Sequence, residues 1–348
     1  MAEGDGKTVL VTGGSGYIGG WCIAELLRRG YRVRTTVRNP AREPEVREAI
    51  GSQTDAHEHL SVHQADLLSD ERWGLVTAGC DYVLHVASPL PESQPKDPDE
   101  LIVPAREGTL RVLRAALDAG VERVVLTSSV AAIRGGNEGI GRPLSEADWS
   151  DLSADVTPYV QSKTLAERAA WELAEERGMR ERVAAVNPGV VIGPLLTEDR
   201  SVSLQAVERL LNGMPAMPRL GFNFVDVRDV ADLQLRAMTS GTAAGGRFIA
   251  VAEFLWMVEV AEILRERLGP AASKVPSRIA PDLLVRAMAL FDGGIRSFKS
   301  SLGKRTDYDA SKSQELGWSP RPMAETIEES ARSLIQAGVV DVPAPEPA

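Results

Sequence analysis

Cysteine is nearly absent: Cys22 and Cys80 are the two thiols in 348 residues, and no metal or redox spacing joins them. They read as reduced core thiols, and a disulfide-built fold is excluded. Aromatic residues are also scarce, at 5%, so a stacking site for a flat polycyclic ligand cannot be argued from the sequence. Basic residues are outnumbered, 39 Lys and Arg against 49 Asp and Glu. The resulting net charge of −10 argues against nucleic acid or an anionic membrane surface as the main partner. No apolar run is long enough to span a bilayer; the stretch around Ala184–Leu196 is broken by Asn187, Pro188, Gly189, Gly193 and Pro194. Met1–Lys7 lacks the basic and apolar regions of a signal peptide, which makes the cytoplasm the expected location. Histidine is rare too, and His57, His59 and His63 alternate through a polar loop before an edge-like strand. That pattern fits solvated side chains, and no metal site is expected.

What the chain does have is ordinary globular material, 43% apolar and 25% charged, at a length that buries a large core. Two domains, or one large α/β domain with an appended lobe, are expected. Thr8–Thr12 is a short apolar strand that runs into Gly13-Gly14-Ser15-Gly16-Tyr17-Ile18-Gly19. A helix follows, stopped by Gly30, and Tyr31–Val37 reads as the second strand. This βαβ unit is the context that a glycine fingerprint needs. Its glycines let the backbone approach a pyrophosphate, and the helix end offers unpaired N–H groups. The second strand ends at Arg38 with no acid before Glu43. An acid near this position would hold a ribose 2′-hydroxyl, whereas arginine suits a 2′-phosphate, so the expected cofactor is NADP(H), with Arg42 as a second contact.

Further strands are expected at Leu60–Gln64, Asp81–Val86, Arg123–Leu126 and Arg182–Val186, with helices at Glu45–Ile50 and Pro104–Ala119. Asp66 and Leu67 follow one strand end. Val86, Ala87 and Ser88 follow another, where cofactor phosphate and ribose cross the carboxyl ends of the strands. Thr127, Ser128 and Ser129 end a third, facing the same crevice. The proline-rich loop Leu90–Glu100 is a candidate rim for a substrate cleft.

After the polar loop Gly135–Asp155, Pro158 suits the first position of a helix, with Thr157 as its cap and Gly178 beyond its end. Tyr159 and Lys163 then share one face, four residues apart. A phenol titrates near pH ~10, and an ammonium ~4 Å away at an effective dielectric of ~20 supplies roughly 4 kcal/mol, enough to lower that value by about three units. A phenol tuned in this way can act as a general acid or base.

Past Val186 the rhythm changes to helices near Val202–Leu211, Asp229–Met238, Glu253–Leu268 and Pro281–Phe291, with a strand-like piece at Arg247–Val251. A last amphipathic helix spans Met323–Ala337. The expected division is a doubly wound Rossmann domain over 1–189 plus about 223–252, and a smaller, mostly helical substrate lobe over about 190–222 and 253–340. A disordered tail is expected at 341–348.

Together, Thr12–Gly19, Arg38, Asp66-Leu67, Val86–Pro89, Thr127–Ser129, Tyr159 with Lys163, and Asn187–Pro194 resemble the extended short-chain dehydrogenase/reductase superfamily. Pro104–Thr109, Tyr159–Trp171, Phe224–Ala231 and Leu316–Arg321 place the resemblance in its dihydroflavonol reductase-like branch, which includes cinnamoyl-CoA reductases and microbial aldehyde and ketone reductases. The resemblance covers about Lys7 to Val339 and implies the following roles. Ser129 bonds the substrate carbonyl, Tyr159 protonates the alkoxide, and Lys163 holds the nicotinamide ribose. Gly13, Ser15, Gly16, Tyr17, Ile18 and Gly19 surround the pyrophosphate, Arg38 takes the 2′-phosphate, and Asp66 and Leu67 take the adenine. Val86, Ala87 and Ser88 line the ribose and phosphates, and Thr127, Pro188 and Val191 lie near the nicotinamide. Leu90 and Ala131 bound the substrate.

Asn39 replaces the Asp common after that arginine in this branch, and the Asn-Trp-Tyr-Cys-Tyr signature of cinnamoyl-CoA reductases is absent, which argues against a CoA thioester substrate. The expected activity is NADPH-dependent reduction of an aldehyde or ketone to an alcohol, by a monomer or homodimer. A nucleotide-sugar epimerase or dehydratase, a hydroxysteroid dehydrogenase, and a non-enzymatic NADP-sensing regulator are the alternatives.

Overall fold

A computed structural model describes residues 3–4, 6–89, 95, 97–196, 203–288 and 301–340. Strands β1 (Thr8–Thr12), β2 (Arg32–Val37), β3 (Leu60–Gln64), β4 (Tyr82–His85), β5 (Arg123–Thr127) and β6 (Val183–Pro188) form one parallel sheet with a seventh strand at Arg247–Ala250. The strand order is β3-β2-β1-β4-β5-β6 and then the seventh strand. The direction of winding reverses between β1 and β4, and a crevice for ligands opens outside the carboxyl ends of the strands at such a reversal.

Helices α1 (Tyr17–Arg28), α2 (Glu43–Gly51), α3 (Trp73–Thr77), α4 (Asp99–Asp118), α5 (Ala131–Arg134) and α6 (Pro158–Glu176) connect the first six strands. Side chains of each central strand alternate between two cores. Val9, Val11, Leu84, Val125 and Val186 pack with α1, whereas Leu10, Val83, Val124, Leu126 and Ala185 pack with α3, α4 and α6. Helices cover both faces, and the strands accordingly read as continuous apolar runs.

Beyond β6, β7 (Val190–Ile192) pairs parallel with β8 (Gly221–Asp226), and α7 (Gln205–Asn212) lies between them in sequence. Helix α8 (Val227–Thr239) follows β8 and precedes β9 (Arg247–Ala250), the seventh strand of the large sheet. Then come β10 (Glu253–Trp256), antiparallel to β8, and helices α9 (Met257–Leu268), α10 (Asp282–Met288), α11 (Ser311–Glu315) and α12 (Met323–Gln336).

The sequence-based boundaries hold for the glycine loop and its helix, and for α6, where the Thr157 hydroxyl accepts from Val160 N at 3.4 Å. They fail at two places. Helix α4 starts at Asp99, and Pro104 lies inside it. Asp99 and Glu100 favour the positive end of the helix, and burial of Leu101, Ile102 and Ala105 outweighs the one missing hydrogen bond. The residues expected as one helix over Glu253–Leu268 begin instead with β10, because Phe254 and Leu255 are buried in the small sheet. The C-terminal segment stays packed through Val340, which is buried, and the expected tail at 341–348 lies outside the described residues. Among the described residues, no helix is long and apolar enough to cross a membrane.

Candidate functional site

The loop after β1 turns on Gly13, whose φ of +74° is left-handed and favours glycine. A Cβ at Gly19 would lie 2.3 Å from the Gly13 carbonyl oxygen, and one at Gly14 would lie 2.1 Å from Thr35 Oγ1. The loop can therefore coil onto itself only with glycine at these positions. It delivers the N-terminus of α1 with no side-chain cap and no acid in the first turn. Such an end leaves N–H groups unpaired and a positive dipole end exposed, which fits a pyrophosphate. Ser15, Gly16, Ile18 and Gly19 lie along this end. The Tyr17 ring is buried, and its hydroxyl has no hydrogen-bond partner among the described residues, so what this residue offers the helix end is its main-chain N–H.

Arg38 follows β2 directly, is exposed, and forms no ion pair among the described residues, so its guanidinium is available to a phosphate. Arg42 differs: Glu45 pairs with it at 2.7 Å. Asp66 follows β3, and one of its carboxylate oxygens accepts from Leu68 N at 2.9 Å in a local turn, while Leu67 packs against Gly108 of α4. An uncapped glycine-lined helix end, a free arginine and an acid at successive strand ends suit a dinucleotide carrying a 2′-phosphate.

At the end of β4, the Val86 and Ala87 N–H groups donate to Thr12 Oγ1 at 3.1 and 3.0 Å. This holds the Val86-Ala87-Ser88 segment beside the glycine loop; a Cβ on Gly13 would touch Ala87 at 3.0 Å. His85, buried beneath, has its pKa pushed down to about 3, chiefly by burial and further by the Lys163 ammonium.

Ser129 lies two residues past β5, and its hydroxyl accepts from Ala131 N at 3.1 Å. Ala131, the first residue of α5, is buried against this turn. Tyr159 and Lys163 sit on the first turns of α6. Tyr159 does not show the expected drop: burial raises its phenol above the ordinary value, and the neighbouring Ser129 hydroxyl pulls the other way. Desolvation of the hydroxyl is the dominant cause, and no hydrogen bond among the described residues joins Tyr159 to Lys163. Burial lowers the Lys163 ammonium to about 8, opposed by the Glu167 carboxylate. A neutral phenol near a partly desolvated ammonium is a proton donor at neutral pH.

Ser129, Tyr159, Lys163 and His85 thus gather at the carboxyl ends of β4 and β5. Thr127 ends β5, but its hydroxyl accepts from Gln234 Nε2 of α8 at 2.7 Å. Pro188 ends β6 and Val191 lies in β7, both buried. Leu90, expected on the substrate rim, lies outside the described residues.

Sequence reasoning assigned no role to Thr12, His85, Glu167, Asn187 or Arg247. The available signals were a lone histidine closing the apolar run Tyr82-Val83-Leu84, and an acid on the buried stripe of α6 with Ala166 and Ala170.

The model of the NAD dependent epimerase/dehydratase family matches residues 9–252. The chain belongs to this family. Within these extended short-chain dehydrogenase/reductases it falls in the dihydroflavonol reductase-like branch. It is 39% identical to cinnamoyl-CoA reductase CAD2 of Medicago truncatula over 284 residues, 80% of this chain and 85% of the relative. With cinnamoyl-CoA reductase 2 of Arabidopsis thaliana it shares 34% identity over 97% of this chain and 96% of the relative. The crystal structure of yeast methylglyoxal/isovaleraldehyde reductase Gre2 complexed with NADPH superposes with a TM-score of 0.79 at 27% identity, covering 96% of this chain and 100% of that one.

Proposed function

We propose that this family member reduces an aldehyde or ketone to an alcohol with NADPH. The observation that carries the reading is the Ser129 hydroxyl against the Tyr159 phenol, one helical turn from Lys163, at the strand ends beside an uncapped glycine-lined helix end. The Gre2 complex and the family's reductases support the same reading.

When bound, NADPH supplies the hydride. The main chain of Gly13, Ser15, Gly16, Tyr17, Ile18 and Gly19 would hold the pyrophosphate, and Arg38 the 2′-phosphate. Asp66 and Leu67 would flank the adenine, Val86, Ala87 and Ser88 the ribose and phosphates, and Thr127, Pro188 and Val191 the nicotinamide. Ser129, whose oxygen accepts from Ala131 N, keeps its one hydroxyl hydrogen to donate to the carbonyl oxygen and so orients it. Tyr159 donates its phenolic proton to that oxygen as negative charge develops, and Lys163 holds the ribose and stabilises the phenolate left behind. The large sheet is assigned to the cofactor, and residues about 190–222 and 253–340 to the substrate.

A cofactor-oxidation screen over chemically diverse aldehydes, ketones and diketones, run with NADPH and with NADH, tests the reading. Reduction of at least one free carbonyl with NADPH preferred is expected. The relatives' names put a CoA thioester on the panel, and the missing Asn-Trp-Tyr-Cys-Tyr signature makes it a poorer substrate than free carbonyls. Tightly bound NAD⁺ in the purified protein would favour a nucleotide-sugar epimerase or dehydratase, and inertness toward the whole panel a cofactor-sensing regulator.

A further inference from the structure

We infer that Glu167, with Arg247, is the positioning hub that holds Ser129 and Lys163 in register. The inference rests on the carbonyl reductase reading and extends it one layer behind the reacting groups.

Glu167 lies one turn beyond Lys163 on α6, and its carboxylate is fully buried. Oε2 accepts from the Ser128 hydroxyl at 2.5 Å and from Asn187 Nδ2 at 2.8 Å. Asn187 Nδ2 also donates to the Ser129 carbonyl oxygen at 3.2 Å. Glu167 therefore grips the turn carrying Ser129 twice, once through the preceding residue and once through β6. Oε1 accepts from Trp171 Nε1 at 3.2 Å and from Arg247 Nε at 2.6 Å.

Arg247, on β9, is itself over-determined. Its Nη1 donates to the carbonyls of Glu146 and Asp148 at 2.7 and 2.8 Å, and its guanidinium stacks 3.8 Å from the Trp149 ring centroid. The ion pair thus joins α6, the β5 turn, β6, β9 and the loop that leads into α6. A buried pair with this many hydrogen bonds is weak evidence for stability but strongly fixes geometry. Glu167 also reaches the reaction electrostatically. Its carboxylate is paired with the Arg247 guanidinium and still acts on the Lys163 ammonium, while His85 faces from β4 as a neutral imidazole and Tyr159 and Ser129 contribute hydroxyls. Among the described residues, Glu167 is the group that helps Lys163 keep its proton.

The test is Glu167→Gln, which keeps the volume and removes the charge. Turnover should fall about tenfold or more with NADPH affinity within roughly threefold of wild type, the split expected when ground-state binding survives. The alkaline limb of the pH profile should move to lower pH as Lys163 loses its carboxylate neighbour, and Glu167→Asp should return the limb toward its wild-type position. An unmoved limb with turnover within about threefold of wild type overturns the inference. If Glu167→Gln fails to fold because it strands Arg247, Ser128→Ala removes one grip and leaves the ion pair. Its turnover should fall by roughly three- to tenfold at an unchanged melting midpoint, and unchanged turnover overturns the inference. Should wild type reduce no carbonyl, the functional reading fails separately. The pH dependence of Lys163 amine labelling in the substrate-free protein then decides the inference: a shift to lower pH in Glu167→Gln supports it, and an unmoved curve overturns it.

Discussion

Thr12 donates its hydroxyl hydrogen to Nδ1 of His85, 2.9 Å away on the adjacent strand. The direction follows from valence. The Val86 and Ala87 N–H groups already occupy both acceptor positions of the threonine oxygen, so its own hydrogen goes to the imidazole. His85 is thereby held as the Nε2–H tautomer, and it stays neutral because burial and the Lys163 ammonium both oppose a second proton. The strand-end segment that faces the glycine loop is anchored through this pair.

Acid stability should carry the mark of His85. Its folded pKa of about 3 lies below the ordinary value of 6.5, so the unfolded chain takes up a proton first as pH falls. The stability is fully present above pH ~6.5 and is lost progressively as pH falls toward ~3, in total on the order of 5 kcal/mol at ~1.4 kcal/mol per unit. Urea midpoints measured from pH 7 to pH 4 should fall less steeply for His85→Gln than for wild type. Parallel curves would show that His85 does not set the slope.

Arg38 is expected to select the phosphorylated cofactor. Arg38→Glu should weaken NADPH binding by about tenfold to a hundredfold, roughly 1.4–2.8 kcal/mol, with little effect on NADH. Fluorescence titration with both nucleotides gives the ratio directly, and an unchanged ratio would remove Arg38 from that role.

Glycine positions should separate cleanly by what surrounds them. Gly19→Ala forces a Cβ against the Gly13 carbonyl, which cannot yield without moving the loop. A cost of about 1–3 kcal/mol in unfolding free energy is expected, with weaker NADPH binding. Gly74 in α3 has nothing within 4 Å of its added Cβ, and Gly74→Ala should stabilise by up to about 1 kcal/mol. Equal effects in thermal melts would contradict the packing described.

Local signals carried most of the reading of the sequence. The glycine loop, the Thr157-Pro158 start of α6 and the four-residue spacing of Tyr159 and Lys163 are each legible because one helix or turn contains the whole pattern. Helix α4 begins a turn and more before the expected Pro104 because a proline in its second turn is tolerated where the flanking residues Leu101, Ile102 and Ala105 are buried. The expected drop at Tyr159 is absent because helical spacing reports which residues share a face but not the desolvation of the hydroxyl. Glu167 with Arg247, 80 residues apart, and Thr12 with His85, 73 apart, leave no local pattern; strand order brings them together. Arg38 reads as a cation with no acid before Glu43, whereas sequence alone does not separate Arg42, which pairs with Glu45, from a second phosphate contact.

Tyr159→Phe tests the central assignment most directly, since it removes one oxygen from a ring that is otherwise unchanged. With a carbonyl substrate taken from the screen, NADPH oxidation should fall by about a hundredfold or more, while the affinity for NADPH measured by fluorescence stays within roughly threefold of wild type. Turnover near the wild-type rate in that variant would contradict the account, because the proton would then reach the alkoxide from some other group.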